Sequence, residues 1–321
     1  MKRELAAEIG RARDAVAGDD LRLHIDFVQT AVEQDDPHLF RDYALWCRDL
    51  PGSRGVDAVT LIGSLETIRA ELTGRLSPPA AEAAHEAVCA GIDALSAGEA
   101  SPCAKDAPHS LACHLYVAAA VSGRREAALA IVRESVGDAE SPVEMYVEIF
   151  QSALYEVGRR WQTAGLTVAE EHMATATTQF ILSVLHQERP RTAGRRGTAV
   201  VTGVFGDQHV VGANIVANVL DADGWDVRYV GTNLPIDDIV GAVSSTQADL
   251  LAVSVTRPEC VDAARELIDR VRDIGPTPPR VIVGGAPFRE DPLLWRAVGA
   301  DGFAADARSV ADVAVAGTAQ G

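Results

Sequence analysis

From about residue 197 onward the chain follows a repeating pattern that few folds accept. Short apolar runs at 199–205, 226–232, 250–256, 280–286 and 302–305 alternate with helical segments near 210–222, 236–247, 259–274, 289–298 and 308–317. The runs are apolar at successive positions, so both faces of each strand must be covered. Parallel strands joined by helices meet that demand, and the five units predict a doubly wound parallel sheet of flavodoxin type. Such a sheet binds its ligand beyond the C-terminal ends of the strands.

Upstream the pattern is helical throughout. In residues 1–97 apolar side chains recur at helical spacing in Ile9, Ala12 and Val16, in Leu23, Phe27 and Ala31, and from Val59 to Leu76, ending at Pro78-Pro79. The stretch 96–108, SAGEASPCAKDAP, reads as a domain boundary. Four further helices at 109–121, 124–136, 142–160 and 168–187, joined by short turns, predict a four-helix bundle. A linker carrying Arg189, Arg191, Arg195 and Arg196 follows. The expected domains are therefore a helical module over 1–97, a four-helix bundle over 105–188 and the α/β domain over 197–317.

Charge narrows the function. Over 321 residues the formal net charge is -17, and residues 1–97 alone carry 10 Lys+Arg against 17 Asp+Glu. Direct nucleic-acid binding is therefore not expected, because phosphate backbones need a basic face. No run of eighteen apolar residues and no leader-like h-region occurs, so a cytoplasmic protein is expected. Cys47, Cys89, Cys103, Cys113 and Cys260 are scattered, with no CxxC spacing to suggest zinc or a disulfide framework.

The loop after the first predicted strand carries the chemistry. A dinucleotide site would show GxGxxG there; this chain has Gly206-Asp207-Gln208-His209-Val210-Val211-Gly212. In this D-x-H-x-x-G pattern Asp207 can accept from one imidazole nitrogen of His209, fixing the tautomer and improving the other nitrogen as a metal donor. Gly212 lets a bulky planar ligand approach the backbone.

These residues resemble the cobalamin-binding domains of methionine synthase and its relatives, in which D-x-H-x-x-G supplies the histidine that ligates cobalt from below. Further matches fall at the tips of the expected strands. Ser254 and Thr256 occupy the positions of hydroxyls that flank the nucleotide tail, Gly284-Gly285 the paired glycines that leave it a slot, and Gly299-Ala300-Asp301 with Asp306-Ala307 the last strand region. The resemblance implies bound cobalamin with His209 as the lower ligand, and it makes the four-helix bundle a cap over the corrin.

Within that cap Trp161 is followed, after nine residues, by Glu171-His172, beyond a Thr167-Val168-Ala169-Glu170 capping box. The spacing resembles the light-sensing cobalamin proteins of the CarH type, and it implies a pocket of Trp161, Glu171 and His172 around a polar upper ligand such as adenosyl. Two departures stand out. Gln162 replaces the histidine that captures cobalt after photolysis in those proteins, and an acidic helical module stands where they carry a DNA-binding domain.

That module, set on a cap and cobalamin core, resembles the photocobilins, which also bind a linear tetrapyrrole such as biliverdin. Arg22, His24, His38, Arg41, Arg69 and His85 are candidate partners for its carboxylates, and Cys89 and Cys113 candidate attachment points. The resemblance implies a photoreceptor reporting to an unidentified protein partner. Nothing in the chain resembles a catalytic barrel, so no enzymatic turnover of its own is expected, and the long amphipathic surfaces of the cap and N-terminal helices lead us to expect a homo-oligomer. The alternative is a corrinoid carrier of a methyltransferase system; a further one is a subunit of an adenosylcobalamin mutase.

Overall fold

The computed structural model describes residues 1–13, 16, 19–49, 57–99, 110–135, 142–188 and 196–316. Cys103, Arg189, Arg191 and Arg195 lie outside these residues, as does much of the two expected boundaries. The backbone divides into two compact units, Met1–Ile181 and Leu182–Gly321.

The first unit is all helix: α1 (Lys2–Arg13), α2 (Asp19–Gln34), α3 (Pro37–Asp49), α4 (Ala58–Arg75), α5 (Pro78–Ala97), α6 (Ser110–Val121), α7 (Arg125–Ser135), α8 (Pro142–Met145), α9 (Ser152–Gln162) and the start of α10 (Val168–Glu188). Their ends follow local chemistry. Asp57 caps α4 by accepting from the Thr60 N–H at 3.0 Å. Helix α5 opens with Pro78 and closes on Gly98 in the left-handed region at φ 64°. The expected capping box at α10 forms in both directions. The Thr167 N–H donates to Glu170 Oε2 at 2.7 Å, and the Glu170 N–H donates to Thr167 Oγ1 at 3.3 Å.

The third predicted bundle helix is continuous but not regular. Between α8 and α9 residues Tyr146–Gln151 form a π-helical segment, and Ser152 Oγ bonds the Val147 carbonyl five residues back at 3.1 Å. Tyr146, Val147, Ile149 and Phe150 of this segment are all buried.

Helices α1 to α5 and α6 to α10 share one compact unit, with α2 packed on α7 and α3 on α6. Charged groups span that seam. Arg13 bonds Asp26 on α2 and Glu126 on α7, each at 2.7 Å, and Arg124 bonds Glu33 at 2.7 Å. Gln34 Nε2 donates to the Ala118 carbonyl at 3.1 Å. Asp26 is buried, and that burial pushes its carboxyl above the ordinary range against the pull of Arg13.

The second unit is a five-stranded parallel sheet in the order β2-β1-β3-β4-β5, with β1 (Thr198–Gly203), β2 (Asp226–Gly231), β3 (Leu250–Ser254), β4 (Arg280–Gly284) and β5 (Gly302–Ala304). This is the flavodoxin-type order. Strands β1, β3 and β4 are buried nearly throughout, whereas the edge strand β2 exposes Arg228 and Tyr229. Helices α11 (Val210–Ala222), α12 (Ile236–Thr246), α13 (Val261–Arg272) and α16 (Val310–Val315) provide four of the crossovers and covers. On one face Val200, Leu251, Val253, Val281 and Val283 pack with Ile239, Val243, Leu267 and Ile268 in a single core.

One predicted helix is corrected. The segment expected at 289–298 is two short helices, α14 (Ala286–Glu290) and α15 (Leu294–Ala297), parted by Asp291-Pro292. A proline disfavours helical backbone at the residue before it, and Asp291 is extended at ψ 96°.

Candidate functional site

At the C-terminal edge of the sheet, the loop from β1 to α11 is organised by one buried carboxylate. Asp207 is 1% exposed, and three donors converge on it. Nδ1 of His209 lies 2.7 Å from Oδ1, the His209 N–H donates to the same oxygen at 3.1 Å, and the Thr256 N–H donates to Oδ2 at 2.6 Å. Burial pulls the Asp207 carboxyl upward, but the bonds from the His209 ring and from the Thr256 and His209 N–H groups outweigh it and hold it below its ordinary value. An ionised carboxylate against Nδ1 makes that nitrogen the protonated one. Nε2 then carries the ring's lone pair, the form that binds a metal.

The His209 side chain itself is 56% exposed, so the ring stands out from the loop while its anchor is buried. His209 is the residue preceding the first turn of α11, in extended backbone at ψ 94°. Gly212, in that turn, presents no side chain; a Cβ there would meet only Ser254 Oγ, at 3.5 Å. An outward imidazole of fixed tautomer beside a glycine in the helix's first turn fits a planar metal-bearing group ligated from one side.

Other predicted residues fall around the same edge, with roles that differ in part from the expectation. Ser254 ends β3 opposite Gly284. Thr256 acts through its backbone N–H on Asp207. The paired glycines are demanded by the protein's own backbone. A Cβ on Gly284 would lie 3.0 Å from the Ala304 carbonyl oxygen, and one on Gly285, at φ 115°, would lie 1.9 Å from the Val255 carbonyl oxygen. Asp301 is structural: its Oδ2 accepts from Arg272 Nη2 and from the Val281 N–H, each at 2.7 Å.

Asn233 is a residue that motif reading passes over. It sits in the left-handed region at φ 59° after β2, and its Oδ1 accepts from the Gly206 N–H at 2.9 Å. It thereby ties the β2 loop to the loop that carries His209. Asn is one of the few side-chain-bearing residues that tolerate this conformation, and the Thr232-Asn233-Leu234-Pro235 turn was its only signal. Tyr229 adds a second tie, its hydroxyl donating to the Val210 carbonyl at 3.0 Å.

In the first unit, Trp161 on the last turn of α9 is 49% exposed, unusual for the largest side chain. Glu171 and His172 on the first turn of α10 pair at 2.7 Å, His172 Nδ1 to Glu171 Oε2, and Thr175 Oγ1 donates to Glu171 Oε1 at 3.0 Å. Deeper in the helices, the hydroxyls of Tyr116 and Thr178 bond at 2.8 Å and join α6 to α10.

Most candidate bilin contacts are engaged within the helices. Arg22 Nε donates to the Val16 carbonyl, Tyr43 bonds His24 at 2.9 Å, Arg41 pairs with Asp42, and Arg69 and His85 both meet Cys89. Among the described residues no helix is long and apolar enough to cross a membrane, and no cluster of three metal-ligating side chains occurs.

Comparison with known proteins agrees with this geometry. Two family models match, each described as a B12 binding domain, one over residues 197–314 and the other over 113–186. Dimethylamine corrinoid protein 3 of Methanosarcina acetivorans is 28% identical over 198 residues, covering 60% of this chain and 91% of the relative. The HTH-type transcriptional repressor CarH of Myxococcus xanthus is 27% identical over 201 residues, covering 62% of this chain and 66% of the relative. The monomethylamine corrinoid protein of Methanosarcina barkeri shares the fold at TM-score 0.54 and 19% identity, covering 65% of this chain and 99% of that one. A B12 binding domain model therefore matches on each side of residues 187–196, one over the helices and one over the parallel sheet.

Proposed function

We propose that the chain is a corrinoid carrier: it holds cobalamin at the C-terminal edge of its sheet, with Nε2 of His209 as the lower ligand of cobalt. The observation that carries this reading is the relay from the Thr256 N–H through buried Asp207 to Nδ1 of the outward His209. When bound, cobalamin supplies a cobalt–carbon bond from which a group can be delivered. The chain's residues do the holding: Asp207 fixes the ring, Asn233 and Tyr229 brace its loop, and Gly212 keeps the approach open. Turnover then belongs to separate partner proteins. The relatives named as methylamine corrinoid proteins support this reading, since one matches over 91% of its own length.

A second reading is favoured by Trp161, Glu171 and His172. An exposed Trp with a carboxylate–imidazole pair suits an upper ligand bearing hydroxyls, such as adenosyl, better than a methyl group. This is the light-sensor reading, and the similarity to CarH supports it. In it the α1–α5 module moves with light, with or without a bilin as a second chromophore.

One experiment separates the readings. The full chain is loaded with methylcobalamin or adenosylcobalamin, and its absorption spectrum and hydrodynamic size are recorded before and after green light. Tight binding of methylcobalamin with no light-dependent change in size supports the carrier. A stable change in spectrum and size with adenosylcobalamin overturns the carrier in favour of the sensor. Biliverdin added to the same protein tests the second chromophore, which falls if no far-red band appears.

A further inference from the structure

We propose that Cys89, flanked by His85 and Arg69, is a nucleophilic thiol that a hydroperoxide converts to a sulfenic acid. The site lies on α4 and α5 and is independent of the cobalamin reading. His85 and Cys89 are four residues apart on α5, so they share one face, and Nε2 of His85 lies 3.4 Å from Sγ of Cys89. The third group comes from the neighbouring helix: Arg69 on α4 donates from Nη1 to the same sulfur at 3.7 Å. Helices α4 and α5 pack against each other, which brings the guanidinium over the turn that holds the thiol.

Accessibility sets Cys89 apart from the buried Cys47 and Cys260. Cys89 is half-buried and His85 exposed, so a small solute reaches the sulfur while its two partners hold it. Cys47, on α3, is the internal contrast. It is buried beside Tyr43, and burial pushes its thiol up to about 12, the mark of an inert structural cysteine.

The two neighbours supply what the reaction needs. Nε2 of His85 takes the thiol proton, and the sulfur attacks the nearer peroxide oxygen. An S–O bond forms as the O–O bond breaks, so sulfur is oxidised by two electrons and the peroxide is reduced. The departing oxygen receives an N–H from Arg69, takes the proton back from His85 and leaves as water or an alcohol.

The test uses the full chain and hydrogen peroxide, with a dimedone-type trap and peptide mass spectrometry. Cys89 is expected to be trapped about tenfold faster than Cys113, the other half-buried thiol among the described residues, as a positioned base and donor should ensure. His85→Gln and Arg69→Gln are each expected to slow Cys89 about tenfold without altering Cys113, and Arg69→Lys to restore much of the rate. Equal trapping of Cys89 and Cys113 in the unaltered chain overturns the proposal. So does trapping of Cys89 at the parent rate in both glutamine variants. The comparison within the unaltered chain decides the matter should a variant lose helical circular dichroism.

Discussion

Oδ1 of Asp207 lies 2.7 Å from Nδ1 of His209, and the carboxylate is buried while the ring is open to solvent. The pair therefore separates positioning from ligation. His209→Ala is expected to remove the nitrogen splitting from the electron paramagnetic resonance spectrum of bound cob(II)alamin, leaving the fold intact. Asp207→Asn keeps the imidazole but loses the charge that orients it, and is expected to weaken cobalamin binding about 10- to 100-fold. Nitrogen splitting that persists in His209→Ala would refute the assigned ligand.

Gly285 is held at φ 115° with the Val255 carbonyl oxygen where its Cβ would stand, at 1.9 Å. Gly285→Ala must push β3 and β4 apart at their tips or twist a strained backbone. We expect a loss of about 3 kcal/mol or more, read by chemical denaturation. Gly241→Ala on α12 is the control, because a Cβ there meets nothing within 4 Å. It is expected to be neutral or to stabilise by up to about 1 kcal/mol.

The sheet was legible because strands buried on both faces leave unbroken apolar runs, and the interleaved helices admit few topologies. Asp207 and His209 were legible because motif spacing and local geometry coincide in one short loop. Other features leave no such trace. The π segment at 146–151 keeps an ordinary helical composition, so periodicity cannot mark its extra residue. Asn233 works by a side chain reaching another loop, and Thr256 by a backbone N–H that any residue but proline could offer. Gly284 and Gly285 matched the motif for a reason that lies first in strand packing. In residues 1–97 amphipathicity shows the helices, but with no motif the module's role is not encoded in pattern.

Arg124 is a largely buried cation at the seam between α2 and α7, its side chain 12% exposed, bonded to Glu33 at 2.7 Å and near enough to Asp26 to feel its charge. Arg124→Met leaves the Glu33 carboxylate without its partner, while Asp26 keeps Arg13. The expected cost is about 3 kcal/mol, or a fall in melting temperature of roughly 6 to 12 °C. Adding Glu33→Gln should recover part of the loss, since it removes the orphaned carboxylate. A double variant no better than the single one would show that Glu33 does not interact with Arg124 in solution.

Glu156 supplies the pH dependence of the α9 turn. Its carboxylate accepts from Arg159 and Arg160 at 2.6 to 2.8 Å, and these bonds, led by that from Arg159, hold it down to about 2 from an ordinary 4.5. A carboxyl lowered by folding stabilises the native state fully above its unfolded value, and the contribution fades as pH falls through the folded one. The Glu156→Gln variant should therefore melt below the parent by a constant margin above about pH 5.5. The margin should shrink between 4.5 and about 2, where the parent protonates. The side chain is 30% exposed, so salt will screen part of the effect, and the margin should narrow in high salt. Melting curves of the two proteins across this pH range check the sign: a margin that widens on acidification would mean that Glu156 is not held ionised by the two arginines.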